Sequence, residues 1–414
     1  MGEWLFKTAQ DEWKTTTLGK LCRLGGGDIQ TGPFGSQLHA SDYVTSGVPS
    51  VMPQNIGDNI IVEDGIARIT IEDARRLSRY LLRTGDIVYS RRGDVERRAL
   101  VRPEQDGWLC GTGCLRVRLG DAADSRFMSY YLDHPNVREW IVRHAVGATM
   151  PNLNTGILGA TPITLPPRGT QLAIAAVLGA LDDKIAVNER ISTTLLSLAD
   201  SFFERAVAGL VAGSESFGSV AEVHGGGTPR TSETSYWNGD IAWATPSDVT
   251  ALSSPYLFAT SRTITQAGLD NCASQLYPAG SIFMTSRATI GSFAVPQIPT
   301  AVNQGFIVVV PPRSEFRWWL FHEMKSRVHE MIGLANGSTF LELSRKNFRT
   351  MQVRLGDPSD IERFDAQVDP LHSRAMACVK ENTTLAQLRD TLLPKLMSGE
   401  TRVREAEGIV GGAL

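Results

Sequence analysis

Residues 170–207 read TQLAIAAVLGALDDKIAVNERISTTLLSLADSFFERAV, with no proline and one glycine, Gly179. Ile174, Leu181, Asn188, Leu195 and Phe202 recur every seven residues, and Val177, Ile191 and Leu198 fill most of a second seam position. An apolar residue every 3.5 positions keeps one stripe of a helix facing a partner, so the stretch predicts a long coiled-coil helix. Near the other end Phe364, Leu371, Cys378, Leu385 and Leu392 repeat the spacing, and both stretches carry Thr-Thr-Leu, at 193–195 and 383–385. One apolar stripe is usually a helix face lying on a core; two matched stripes are better explained by packing on each other. The second helix then runs antiparallel to the first, with Asn188 on the seam fixing register at a cost in stability.

Outside the helices the chain repeats itself at a spacing of roughly 190 to 200 residues, the first thing to seek in a long sequence. In order, Leu18-Gly19-Lys20-Leu21 with Gly25-Gly26-Gly27 matches Phe217-Gly218-Ser219-Val220 with Gly225-Gly226-Gly227. Met52-Pro53-Gln54-Asn55 matches Thr245-Pro246-Ser247-Asp248, the run from Gly85 to Arg92 matches that from Gly280 to Arg287, and the run from Gly147 to Met150 matches that from Gly337 to Phe340. Short apolar runs after glycine turns read as strands, and residues 115–119, apolar and basic in alternation, as a half-buried strand. Residues 126–144 and 316–331 carry helical spacing. The expected fold is α+β: two similar mixed domains at 1–167 and 211–356, two long antiparallel helices at 168–210 and 357–397, and a tail at 398–414. The whole is expected to be a pseudo-twofold dumbbell. A helix of ~35 residues is about 52 Å long, more than one turn of B-DNA at roughly 34 Å.

Composition narrows the function. No run is apolar enough to span a bilayer and none resembles a signal peptide, and five scattered cysteines suit reduced thiols, so a cytoplasmic protein is expected. Cys110 and Cys114 lack a second Cys/His pair for zinc and read as small buried hydrophobes. Net charge is only -3, yet residues 75–102 hold nine arginines against Asp86, Asp94 and Glu96, a composition suited to phosphate and guanine. Neither Pro166-Pro167 nor Pro311-Pro312 sits in the Asn/Asp-Pro-Pro-aromatic loop of an amino-methyltransferase. The glycine runs do not fit a dinucleotide fingerprint and read as turns. Gly19-Lys20 is not a P-loop, and Asp182-Asp183-Lys184 lies inside the heptad helix, where charges face solvent. No catalytic residue, metal or cofactor is expected in this chain.

Over residues 13–398 the sequence resembles the specificity subunit of type I restriction–modification systems. The likeness rests on the opening at 13–18 with Leu21, on Gly-Asp-Ile-Val-Tyr-Ser at 85–90, on Ile163-Thr164-Leu165-Pro166-Pro167 before Gln171, and on Asn188-Glu189-Arg190-Ile191 in the long helix. The second half departs from it, since residues 353–358 lack the double proline. The resemblance implies two target-recognition domains reading a split, asymmetric sequence in double-stranded DNA. It also implies two partner methyltransferase subunits carrying S-adenosylmethionine, and optionally two motor-nuclease subunits. One rival reading is a stand-alone DNA-binding regulator, and a second is a structural scaffold whose coiled coil spaces two protein-binding domains.

Base readout needs Arg or Lys for guanine, Asn or Gln for adenine, and small hydroxyls or main chain for phosphate. The duplicated loops offer Gln54, Asn55, Ser90, Arg91 and Arg92 in the first half and Ser247, Asp248, Thr285, Ser286 and Arg287 in the second. A further pair of polar loops carries Thr149 and Asn152, and Ser338 and Thr339. Thr31 and Arg230, just past the glycine runs, are weaker candidates. For each, the bland alternative is an ordinary surface loop residue.

Overall fold

The computed structural model describes residues 13–147, 150–337 and 341–414. It forms two compact units, one of residues up to 184 with 384–414 and one of residues 185–383, so each holds part of both long helices.

In the first unit the fully buried strand Ile87–Ser90 leaves a turn at Gly85, whose φ of 87° suits glycine. It pairs antiparallel with Arg98–Leu100 and Cys114–Val117, and Ile29–Thr31 completes a four-stranded sheet. A second four-stranded sheet is ordered Tyr43–Val44, Ala67–Ile69, Val48–Val51, Leu109–Cys110. The half-buried reading of residues 115–119 is corrected: Arg116 is buried, and its guanidinium reaches Asp28 and the Arg79 carbonyl. A strand covered on both faces looks amphipathic when its buried arginine reaches out to an exposed carboxylate.

The second unit repeats this plan in a five-stranded sheet, Glu222–His224, Phe306–Val310, Ile282–Thr285, Phe293–Pro296, Tyr256–Leu257, and a three-stranded one around Trp237–Ala244. Strand register corrects the match between glycine runs. Thr31 lies opposite Leu115 one place beyond the position where His224 lies opposite Val308, so Gly32 corresponds to Gly226. A Cβ on Gly32 would sit 2.0 Å from the Gly111 carbonyl oxygen, and one on Gly226 would sit 2.1 Å from that of Val302. Gly25-Gly26-Gly27 precedes its strand and has another role.

The long helices are Arg168–Ala206 and Pro358–Ser398, 39 and 41 residues, and a further helix, Val403–Ala413, lies in the tail. Ile174, Leu181 and Asn188 of the first seam position and Val177 of the second are buried as expected, but the second seam runs on through the buried Leu178, Ser192 and Ala199, with Ile185 half-buried. Leu198 is 41% exposed. Toward the C-terminal end Phe203, rather than Phe202, is the buried ring, the slip a helix of 3.6 residues per turn makes against a 3.5-residue repeat. Within the second unit the helices run antiparallel: Asn188 donates to Glu381 Oε2 (2.8 Å) and Asn382 Oδ1 (2.9 Å), and Asn382 donates to the Ile185 carbonyl (3.3 Å). Within the first unit Asp182 departs from the expected solvent-facing charge. Its side chain accepts from the Tyr130 hydroxyl and from Arg389 Nη1 at 2.9 Å.

In the second unit a directed chain of hydrogen bonds ties the helices to the domain. Tyr256 OH meets His372 Nδ1 (2.9 Å), His372 Nε2 meets His322 Nε2 (3.0 Å), and His322 Nδ1 meets Asp200 Oδ1 (2.9 Å). Asp200 accepts, so His322 donates through Nδ1 and must accept at Nε2 from His372, whose Nδ1 then accepts the tyrosine proton. Every atom is satisfied only while both rings are neutral. Trp318 stacks on His372 at 3.5 Å. Burial, helped by His322, pushes the His372 pKa down to about 2, and burial also lowers that of His322 against the pull of Asp200. A depressed histidine pKa stabilises the fold fully above the unfolded value, near 6.5, and the contribution fades as pH falls below it. The loss is about 1.4 kcal/mol per pH unit for each ring that stays neutral. The melting temperature of the full chain is therefore expected to fall between pH 7 and pH 5, and His372→Gln, though less stable at pH 7, to show a shallower slope. Equal slopes in thermal melts would contradict this.

Candidate nucleic-acid interface

Five segments of the first domain converge at the ends of its strands: residues 32–35, 52–55, 90–93, 111–113 and 150–153. Main-chain bonds join them. Arg91 N–H donates to the Gly113 carbonyl (2.8 Å), Leu153 N–H to that of Arg91 (2.8 Å), Gly93 N–H to that of Pro151 (3.0 Å), and Gly111 N–H to that of Val51 (2.9 Å). A Cβ on Gly113 would lie 3.2 Å from Pro53 Cγ, which brings the 52–55 turn alongside. The second domain repeats each bond: Ser286 to Gly305 (2.8 Å), Leu343 to Ser286 (2.9 Å), Ala288 to Leu341 (3.0 Å) and Asn303 to Ala244 (3.0 Å). Even the left-handed turn recurs, with φ 72° at Gly93 and 56° at Ala288, where a side chain makes it costly.

On this common frame the side chains differ. In the first domain Arg91 and Arg92 stand beside Asn152, and neither arginine meets a carboxylate among the described residues. In the second, Ser286 and Arg287 take their places, and Arg287 pairs with Glu342 at 2.9 Å. There Arg287, Gln304, Ser344, Arg345 and Lys346 line a concavity of about 360 Å³. Three cations against one carboxylate favour an anionic ligand such as a phosphate backbone. Among the described residues no group of three His, Cys, Asp or Glu side chains could hold a metal ion.

A family model described as the type I restriction modification DNA specificity domain matches residues 10–197 and 215–359. The chain belongs to that specificity family. A type I restriction enzyme MjaIX specificity subunit from Methanocaldococcus jannaschii is 33% identical over 148 residues, 35% of this chain and 34% of that protein, so the match spans about a third of that relative's length. The HindI specificity subunit from Haemophilus influenzae is 20% identical across 85% of this chain and 94% of its own length. The fold is also that of a crystal structure of a type I restriction–modification system S subunit from M. genitalium, with TM-score 0.57 and 16% identity over 95% of this chain and 99% of that one.

In this specificity subunit the named candidates fall into three groups. Gln54, Arg92, Ser247 and Arg287 are exposed on the clusters, and Arg91 and Asn152 are half-buried beside them. Asn55, Ser90, Thr285 and Ser286 are buried. Asn55 Oδ1 accepts from Met52 N–H (3.0 Å) and Asp248 Oδ2 from Thr245 N–H (2.7 Å), closing the same turn in each domain. Ser90 Oγ donates to the Arg92 carbonyl (3.0 Å) and Thr285 Oγ1 to that of Thr289. In this structure these four side chains, Asn55, Asp248, Ser90 and Thr285, shape the loops. Ser286 is buried too, but it lines the concavity. Thr149, Ser338 and Thr339 lie outside the described residues. Thr31 is half-buried at the end of its strand and Arg230 is exposed. The arginine-rich segment is no single patch: Arg98 is buried, bonded to the Ser129 carbonyl (2.8 Å) and paired with Asp133 (3.1 Å). Sequence reasoning missed Gln304, Arg345 and Lys346, because nothing in one-dimensional spacing marks which loops meet.

Asn55→Ala is expected to destabilise the chain by about 1 kcal/mol through loss of its two hydrogen bonds to Met52 N–H and the Val62 carbonyl, while Gln54→Ala leaves stability unchanged. Denaturant unfolding of the two variants checks this, and equal midpoints would refute it.

Proposed function

We propose that this chain reads a split, asymmetric DNA target, one half-site per domain, and presents it to methyltransferase subunits. The observation that supports this most directly is the pair of loop clusters with the same main-chain bonds and different side chains: equal frames suit the same kind of ligand, and unequal side chains suit unequal bases. Two methyltransferase subunits, with two motor-nuclease subunits as an optional addition, complete the proposed complex, and S-adenosylmethionine belongs to the methyltransferase. The chain itself is proposed to be non-catalytic, because its duplicated main-chain frame serves to hold donors and acceptors in place and neither double proline sits in a base-gripping loop. A cytoplasmic setting suits the buried Cys110, whose thiol burial pushes up to about 12, and no described helix is long and apolar enough to cross a membrane.

The test is co-expression with a type I methyltransferase subunit, followed by methylation mapping. A motif with two defined ends around an unread centre is expected, and no methyl transfer by the purified chain alone. Arg92→Ala should relax one end and Arg287→Ala the other, each by roughly 1–3 kcal/mol where the contact is bidentate to guanine. Modification at a single uninterrupted site, or one end lost in both variants, would overturn the two-domain reading, and regulation of transcription without methylation would favour a stand-alone regulator.

A further inference from the structure

Phe34 is the anomaly of the first loop cluster. It is an aromatic residue 53% exposed, yet its loop is fixed. Thr112 Oγ1 donates to the Pro33 carbonyl (3.1 Å), Gln37 N–H to that of Phe34 (2.8 Å), and Gly32 lies against Gly111. One exposed apolar side chain needs no explanation by itself. Here, however, the Arg91 guanidinium lies over the ring, 5.7 Å from its centroid. Arg91 Nε is buried with no hydrogen-bond partner. Arg98 and Arg116 on neighbouring strands, and Arg118 just past the end of one, each meet an aspartate. A guanidinium laid on an apolar face without an anion keeps its two Nη groups for a ligand, the buried Nε being closed to one. In the second domain the corresponding loop carries Thr228, bonded to Gln304, and Ser286 stands where Arg91 does. The frame is kept and the apolar character is not, as expected of a position that chooses a base.

We propose that Phe34 is a specificity-determining residue, its ring meeting the 5-methyl group of a thymine in the major groove beside a guanine held by Arg91. The proposal rests on the DNA reading given above. That methyl is the apolar group on the major-groove edges, and a phenyl ring is a suitable partner for it, as arginine is for guanine O6 and N7.

The experiment uses the full chain with its methyltransferase subunit and a duplex of the mapped target. Each thymine in the half-site relaxed by Arg92→Ala is replaced in turn by uracil, which lacks only the methyl. One replacement should weaken wild-type binding about fourfold, the worth of one buried methyl group, and leave Phe34→Ala unaffected. Phe34→Ala should melt at the wild-type temperature, since the ring is mostly in solvent. A Phe34→Ala complex that still prefers thymine to uracil overturns the proposal, as does a first half-site with no A·T pair. A 2-aminopurine signal of unstacking that depends on Phe34 without any uracil effect also overturns it, since the ring would then be a wedge between bases. Wild-type complex that does not separate the target from a scrambled duplex overturns the DNA reading itself, and this assignment with it.

Discussion

Main-chain hydrogen bonds hold the loop clusters, and the rest of the recognition surface depends on that. The Arg91–Gly113 and Leu153–Arg91 bonds, with Ser286–Gly305 and Leu343–Ser286 as their counterparts, join loops far apart in sequence without using a side chain. Side chains at 91, 92 and 152, or at 286, 287 and 342, are thereby released from structural work and can differ between the domains. Where a side chain does shape a loop, as Asn55 and Asp248 do, it turns inward and keeps its chemistry in both halves.

The two units anchor their helices by different means. In the first, Asp182 draws together Tyr130 and Arg389, a charged junction. In the second, Asp200, His322, His372 and Tyr256 make a chain whose interior is neutral. In the charged junction burial works to lower the pKa of Arg389, and the carboxylates of Asp182, Asp58 and Asp390 more than offset it and hold the guanidinium above its usual value. The neutral chain tolerates acid poorly.

Much of this was legible in one dimension. The heptads at 174, 181 and 188 and at 364, 378 and 385 located the long helices, and the match of 85–92 to 280–287 located equivalent strands and turns. The second seam was misplaced because Ser192 and Ala199 are weakly apolar, while Ile191 and Leu198, one position earlier, look better although Ile191 is only half-buried and Leu198 is exposed. The glycine runs misled because composition was matched where only strand register decides equivalence. Asn55 and Asp248 carried a readable signal: each stands three residues after Met52 or Thr245 with proline between, the spacing of a side chain capping its own turn. Phe34 and the histidine chain carried none, since each depends on residues that only folding brings together.

The buried Asn188 layer also bears on synthesis. Its partner Asn382 is about 190 residues farther along the chain, so at roughly 5–20 residues per second the first helix waits some 10–40 s for its mate. Throughout that interval Ile174, Leu178 and Leu181 offer an apolar stripe to any other nascent helix on the same polysome. A mispaired helix with an aliphatic residue opposite Asn188 buries an amide with no acceptor, a penalty of about 1–3 kcal/mol. The polar layer thus works as a proofreading step in assembly, favouring release of the wrong helix until residues 381 and 382 have been made.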